Sequence, residues 1–495
     1  MNYTGLLRAM VPEAALVIGA LFVLALDIAY GRRRTLESRL YIAVITGTVA
    51  VVAAMYGAFS SGLADSVFGG ALILDELTMA TRLGVLVLAW ITLTLAGSTA
   101  RLRHPAEFVA IVLFATAGFT LMAAAHQLLV AFVALELASL SLYILAGFDK
   151  SKPESAEAAL KYFLFGGMSA AFLLFGFSLI YGLTGSIELH EISAHLAGHP
   201  PTPLLSVALV MVLVAFGFKA AAAPFHLWAP DVYEGAPVSS SALIASASKL
   251  AGLTLFVRLL WPGFGPGAGN VSTAAGAPGW LAIVACLSAA SLLLGNFAAL
   301  AQPNLRRLLA YSAIAHAGVM LLGVIAAGDA GNGPLFYYVF TYGIATIGAF
   351  GVIAVIERTS PCQRITDLAG LYRRSPLLTG CLAIYILSLA GIPPLAGFFG
   401  KFTVFAAALN LGGLAGPAGW LAILAIFLSA VALYYYLIVL KQALVCPAPV
   451  APSAAPSSSV PDRIPVPPDA AIVLVFAALL LLLLGLFPSV LLRIF

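Results

Sequence analysis

Lys219-Ala-Ala-Ala-Ala-Pro224-Phe-His226-Leu-Trp-Ala-Pro-Asp231 is the stretch whose reading decides the fold. It closes an apolar run that starts near residue 202 and is long enough to cross a bilayer, which takes about 20 residues. Yet a lysine, a proline and a histidine stand inside that run. A cation near the bilayer centre costs at least ~2.5–3.5 kcal/mol on insertion scales. Proline removes a backbone donor and breaks the helix. A span that accepts both is a broken membrane helix of the kind that lines a transport site. A second overlong run, 376–410, is interrupted in the same way by Gly391-Ile-Pro-Pro394.

The rest of the chain agrees. Of 495 residues, 62% are hydrophobic and 9% charged, with a mean hydropathy of +1.06. Soluble domains are roughly a quarter charged, so a soluble enzyme, a disordered chain, a nucleic-acid-binding domain and a disulfide scaffold are all disfavoured. The expected fold is an all-α polytopic membrane protein with about 14 transmembrane helices. The spans are read at 10–30, 40–60, 77–98, 105–124, 127–148, 157–183, 202–228, 237–261, 279–300, 305–326, 334–356, 376–410, 416–445 and 470–493. Val11 to Tyr30 is expected to be a retained first span, since Arg32, Arg33 and Arg34 follow it. The Pro/Ser-rich stretch 446–469 reads as an exposed linker before the last span.

Charge placement tests this count. Sixteen of the 24 Lys and Arg residues fall in loops on one side: Arg32, Arg33, Arg34, Arg39, Arg101, Arg103, Lys150, Lys152, Arg306, Arg307, Arg358, Arg364, Arg373, Arg374, Lys441 and Arg463. The positive-inside rule makes that side cytoplasmic and both termini periplasmic. Arg8, Arg258 and Arg493 lie on or near the other side, and five cations remain inside spans: Arg82, Lys161, Lys219, Lys249 and Lys401. Arg82 and Lys161 fit either a snorkelling role or a functional one. The other three stand near mid-span, where snorkelling fails, and Glu136 joins them. One glutamate cannot neutralise three lysines, so water or mutual contact is expected to serve the others.

The two breaks also suggest a repeat. Leu128-Leu129 precedes Glu136 as Leu308-Leu309 precedes His316, and Pro224 answers Pro394. Leu160, Tyr162, Phe165, Ala170, Phe175 and Gly176 of span six match Leu335, Tyr337, Phe340, Ala345, Phe350 and Gly351 of span eleven. Five spans reverse direction across the membrane, so the units are two inverted five-helix repeats with broken helices 7 and 12. The expected units are three N-terminal helices (1–104), a first repeat (105–261), a second repeat (279–445), the linker and a C-terminal helix (470–495).

Protonatable groups spread along the midplane suggest proton transfer. His226 lies within reach of Lys219 through one or two waters, and freed backbone groups at the breaks can hold such waters. A nearby carboxylate favours the charged form of a buried lysine, so moving Glu136 relative to Lys219 would make the lysine hold or release a proton. His316 is either a satisfied core histidine or the counterpart of Glu136 that relays protons between the halves. Asp231 and Glu234 read as a solvated loop, and Arg306 and Arg307 as interfacial anchors. The four cysteines, Cys286, Cys362, Cys381 and Cys446, form no C-x-x-C pair, and no glycine-rich nucleotide loop is present.

At these residues the chain resembles a known family. Lys219 to Pro237, Ser246-Ala-Ser-Lys249, Leu305-Arg-Arg-Leu-Leu-Ala-Tyr-Ser-Ala-Ile-Ala-His316 and Gly391-Ile-Pro-Pro-Leu-Ala-Gly-Phe-Phe-Gly-Lys401 resemble the antiporter-like proton-translocating subunits of respiratory complex I. Leu160-Lys161-Tyr162-Phe163-Leu164, Tyr181-Gly-Leu-Thr-Gly185 and the lysine at 401 are similar to the subunit N branch. The resemblance implies a non-redox membrane subunit of proton-pumping NADH:quinone oxidoreductase. It implies that Glu136 and Lys219 modulate an inner half-channel, that His226 and Lys249 connect, and that Lys401 loads the periplasmic exit, with Lys161 in a further role. No cofactor is expected in this chain; NADH, FMN, iron–sulfur clusters and quinone are expected in other subunits. Expected partners are other membrane-arm subunits, including sister subunit M and small subunits, together with lipids but no nucleic acid, in a bacterial inner membrane. The alternatives are a subunit of a multisubunit cation/proton antiporter and an inert membrane scaffold.

Overall fold

The structure is a computed structural model and describes residues 3–31, 34–98, 102–199, 202–269, 279–411, 413–447 and 463–495. Arg32, Arg33, Arg101 and most of the linker therefore lie outside the described residues. Thirteen helices among the described residues are long and apolar enough to cross a membrane. In chain order, spans one to six are Val11–Tyr30, Leu36–Ser61, Glu76–Ser98, Pro105–Ala124, Leu128–Ala146 and Pro153–Thr184. Span seven is Pro203–Ala220, followed beyond a break by the short helix Trp228–Gly235. Span eight comprises Val238–Ala245 and Ala247–Arg258, and spans nine to eleven are Trp280–Leu300, Leu305–Ala330 and Gly333–Ile356. Span twelve is two helices of 15 residues, Pro376–Ala390 and Ala396–Asn410, each too short to count by length alone. Spans thirteen and fourteen are Pro417–Leu444 and Pro468–Leu486.

Local chemistry marks the helix ends. Oxygens of Thr35, Thr202, Asn304 and Ser375 accept first-turn amides at the starts of spans two, seven, ten and twelve, which satisfies donors that a helix leaves free. Proline occupies an opening position of spans one, four, six, seven, eleven, twelve, thirteen and fourteen, where its missing amide costs nothing.

Burial divides the spans. The most apolar windows of spans eight and eleven are wholly buried and that of span ten is 94% buried, whereas those of spans one and six are 33% buried. Spans eight, ten and eleven are thus the centre of the molecule, and of the singled-out polar groups Lys249 and His316 stand on them. Small residues let neighbouring helices close in, as membrane helices require. A Cβ at Gly118 of span four would stand 2.7 Å from the Ala138 backbone of span five, and one at Gly295 of span nine 2.4 Å from the Ala315 backbone of span ten.

Three features were not legible in advance. Span eight is itself interrupted at Ser246, three residues before Lys249. A hairpin, Ala64–Val67 paired with Leu72–Leu74, joins spans two and three. A short helix, Leu189–Ala197, lies between spans six and seven.

Candidate functional site

The two breaks share one backbone pattern. Ala221 and Gly391 both adopt positive φ, +57° and +86°. The amides of Ala221 and Ala222 bond back to Phe218 and Gly217, and those of Gly391 and Ile392 bond back to Ser388 and Leu387. The chain leaves each helix in the same way, at positions 170 residues apart (391 − 221). Neighbouring hydroxyls satisfy some of the released amides. Ala223 N donates to Ser291 Oγ at 2.8 Å, and Gly397 N to Ser388 Oγ at 3.2 Å. These bonds let non-helical backbone persist in an apolar interior.

Lys219 sits at the C-terminal end of the first half of span seven. Its ammonium donates to Ser139 Oγ at 3.3 Å. Its stem lies across Gly252 of span eight, where a Cβ would come within 2.9 Å of Lys219 Cγ. Glu136 is one turn before Ser139 on span five. Glu136 and Lys219 make no ion pair within 4.0 Å, and Glu136 Oε1 is buried with no hydrogen-bond partner among the described residues. His226 lies in the break itself, buried, and its Nδ1 is likewise unpartnered among the described residues.

Lys249 and Lys401 are both buried and both held by neutral oxygen. Lys249 Nζ donates to the carbonyl of Ala313 on span ten at 2.7 Å and stands 5.4 Å from the centre of the Tyr342 ring. Lys401, in the second half of span twelve, reaches back to the carbonyls of Leu389 and Ala390, each at 3.1 Å. Those carbonyls end the first half-helix and carry the negative pole of its dipole. Gly391 clears the way, since a Cβ there would lie 3.1 Å from Lys401 Cδ. Helix carbonyls and an aromatic face serve the two lysines that Glu136 does not approach. For Lys401 the break leaves end carbonyls free to accept, whereas Lys249 shares a carbonyl of the unbroken span ten.

His316 on span ten bridges two tyrosines. Nδ1 lies 2.6 Å from Tyr338 Oη of span eleven, and Nε2 lies 3.0 Å from Tyr436 Oη of span thirteen. Tyr436 also bonds Ser312 Oγ, and Tyr435 Oη donates to Asn296 Oδ1 at 3.2 Å. Tyr338, Tyr342, Tyr436 and Ser139 were not singled out from the sequence. Spacing does not mark them, because tyrosine is ordinary in membrane helices; only a wholly buried tyrosine signals a hydrogen-bond obligation.

The remaining intramembrane cations are structural pairs. Arg82 does not snorkel: it is 1% exposed and bonds Glu13 of span one at 2.9 Å. A second membrane acid, Glu13, was overlooked because it sits near a span end. Lys161 contacts two carboxylates. It is half-buried and pairs with Asp231 at 2.6 Å and Glu157 at 2.7 Å. Asp231 and Glu234 are no free loop, since Arg307 bonds both at 2.8 Å. Burial draws the Asp231 carboxyl up, but bonds from Lys161 and Arg307 outweigh it and hold its pKa below the ordinary value. Arg306 is more than an anchor. It caps the carbonyls of Glu234 at 2.9 Å and Ala236 at 3.2 Å and pairs with Glu357. Among the described residues no cluster of three metal-ligating side chains occurs.

Comparison with known proteins places this geometry in a lineage. The family described as NADH:quinone oxidoreductase/Mrp antiporter, TM, matches residues 125–432. NADH-quinone oxidoreductase subunit N 2 of Acidobacterium capsulatum is 47% identical over 505 aligned positions, 100% of this chain and 99% of the relative. NADH-quinone oxidoreductase subunit N of Nitrosomonas europaea is 35% identical over 97% of this chain and 95% of its own length. Among solved structures, a chain of respiratory complex I from Thermus thermophilus with bound aureothin is similar with a TM-score of 0.77 and 34% identity, covering 97% of this chain and 98% of that one. A chain of the Mrp complex from Dietzia shares the fold, with a TM-score of 0.81 at 21% identity over 100% and 96% of the two chains.

Proposed function

The chain belongs to the NADH:quinone oxidoreductase/Mrp antiporter family, as a subunit N of proton-translocating NADH-quinone oxidoreductase, and on that premise we propose that it carries protons along Glu136, Lys219, His226, Lys249, His316 and Lys401. One observation carries this reading: three buried lysines have neutral oxygen partners and no carboxylate in contact. An ammonium locked to a carboxylate is held charged. One held by a hydroxyl or a carbonyl can surrender its proton when a neighbouring charge changes.

The chemistry follows from each setting. Glu136, near Lys219 but not bonded to it, modulates that ammonium: its approach favours proton uptake and its withdrawal favours release. Lys249 receives the proton against the face of Tyr342, which attracts a cation. Lys401 takes it up at the negative end of a half-helix, where an ammonium is stabilised and carbonyls alone hold it. His226 and His316 relay between these stations. Quinone reduction, NADH, FMN and iron–sulfur clusters belong to other subunits. Two inverted repeats, 105–261 and 279–445, supply the stations, and the paired breaks support that division. Lys161 acts outside the row, as a tie to Asp231. The chain sits in a bacterial inner membrane with its Arg/Lys-rich loops cytoplasmic and both termini periplasmic, beside sister subunit M and small membrane-arm subunits.

The test is reconstitution of the intact complex carrying Lys219→Ala, Lys401→Ala or Glu136→Gln, with NADH-driven acidification of vesicles as the readout. Assembly with lost acidification is expected. Unaltered acidification in all three would overturn the row and favour a scaffold. Sodium export without quinone reduction would instead assign the chain to a cation/proton antiporter.

A further inference from the structure

Both nitrogens of the His316 ring are held by phenols, Nδ1 by Tyr338 and Nε2 by Tyr436, and Tyr436 bonds onward to Ser312. His316, Tyr338, Tyr436 and Ser312 are each more than nine-tenths buried. A neutral imidazole carries one N–H and accepts at its other nitrogen. One tyrosine must therefore donate to the ring while the other accepts from it. The two tyrosines also lead to different places. Tyr338 packs on Gly400, where a Cβ would lie 2.9 Å from Tyr338 Cδ2, and Gly400 directly precedes Lys401. Tyr436 leads through Ser312 to the turn of span ten whose Ala313 carbonyl takes the Lys249 ammonium.

We propose that Tyr338 and Tyr436 are proton-transfer residues, forming with His316 a relay between the Lys249 and Lys401 sides of the row. The proposal rests on the midplane row argued above. In the forward step Tyr436 gives its hydroxyl proton to Nε2 as it takes one from Ser312 Oγ. His316 gives its Nδ1 proton to Tyr338 Oη, and Tyr338 passes its own proton toward Lys401. Ser312 is recharged by water from the Lys249 side. Every N–H or O–H bond broken is matched by one formed, so no phenolate or imidazolium is required. The first tautomer returns when water takes the Nε2 proton and restores one to Nδ1.

Tyr338→Phe and Tyr436→Phe keep the ring and remove the hydroxyl. Each is placed in the intact complex in vesicles beside wild type and Lys401→Ala. NADH oxidation by an artificial acceptor that bypasses quinone measures assembly, and protons moved per electron measures the relay. A merely structural tyrosine would lower the yield of complex without altering protons per electron. Assembly near wild type with protons per electron reduced as in Lys401→Ala is expected, from a hop slowed by about 10²-fold. Wild-type protons per electron in both tyrosine variants, with loss in Lys401→Ala, would overturn the relay and leave the row standing. Wild-type values in Lys401→Ala as well would remove both. If one tyrosine variant fails to assemble, the other decides, since the relay needs both hydroxyls.

Discussion

Eight cations of this protein fall into two populations. Arg82, Arg258, Arg306, Arg307 and Lys161 each contact a carboxylate within 3.0 Å. Lys219, Lys249 and Lys401 contact a hydroxyl, a carbonyl and a pair of carbonyls. The paired group spans elements that must stay together: span one to span three, span eight to the start of span three, and span ten to the helix after the first break. The unpaired group stands on spans seven, eight and twelve. A buried pair fixes charge and position together. A buried lysine with neutral partners is fixed in position only, and its charge is free to change.

The largest test of this contrast removes it. Ser139 Oγ lies 3.3 Å from Lys219 Nζ, so converting Ser139 to Asp puts a carboxylate beside that ammonium and turns an unpaired lysine into a paired one. Although every lysine remains, Ser139→Asp is expected to abolish NADH-driven acidification by the assembled complex, whereas Ser139→Ala keeps much of it. Equal acidification by the Ser139→Asp variant and wild type would mean that pairing does not matter.

Arg82 offers the reverse experiment. Arg82→Met leaves Glu13 buried without its partner, and breaking a buried pair costs about 3–5 kcal/mol. The yield of intact complex and its thermal midpoint are expected to drop. Adding Glu13→Gln to Arg82→Met should restore most of that loss, because no buried charge is then stranded. A double variant as unstable as the single one would show that Arg82 does more than neutralise Glu13.

The half-exposed ties should matter less. Arg307→Ala removes two contacts to Asp231 and Glu234, and exposed pairs contribute about 0–1 kcal/mol. A small fall in thermal midpoint is expected, with protons per electron unchanged. A change in that ratio would draw this cluster into the proton route.

The smallest effect is read as a pH dependence. Burial pushes the Asp75 carboxyl up, but bonds from Arg258 and Thr78 outweigh it and hold its pKa below the ordinary value. A group depressed in the folded state stabilises above its unfolded value, about 3.9, and loses that contribution as pH falls through the folded value. Thermal midpoints measured from neutral to acid pH should therefore decline less in Asp75→Asn than in wild type. Parallel curves would show that the tie to Arg258 adds nothing.

Much of the site was legible in one dimension. Lysine is so costly in an apolar run that Lys219, Lys249 and Lys401 stood out by residue type, as did the prolines that break spans seven and twelve. Arg82 and Lys161 stood out equally, and residue type could not separate them from the others. Glu13 stands 69 residues from Arg82, and Asp231 70 residues from Lys161, so the pairings depend on which helices are neighbours. Ser139, Tyr338 and Tyr436 carried no signal, because a hydroxyl is cheap in a membrane helix wherever a carbonyl of its own turn can accept it. The interruption of span eight at Ser246 was hidden for a related reason: neither glycine nor proline marks it.

Hydropathy, charge and two proline positions decided that this chain lives in a bilayer, how many times it crosses, and where spans seven and twelve break. Those properties follow from the cost of taking each residue out of water, which is paid one residue at a time. Only the tertiary structure decided which buried cations are tied and which are free. That depends on the facing of side chains from helices far apart in the chain, and no local free energy records it.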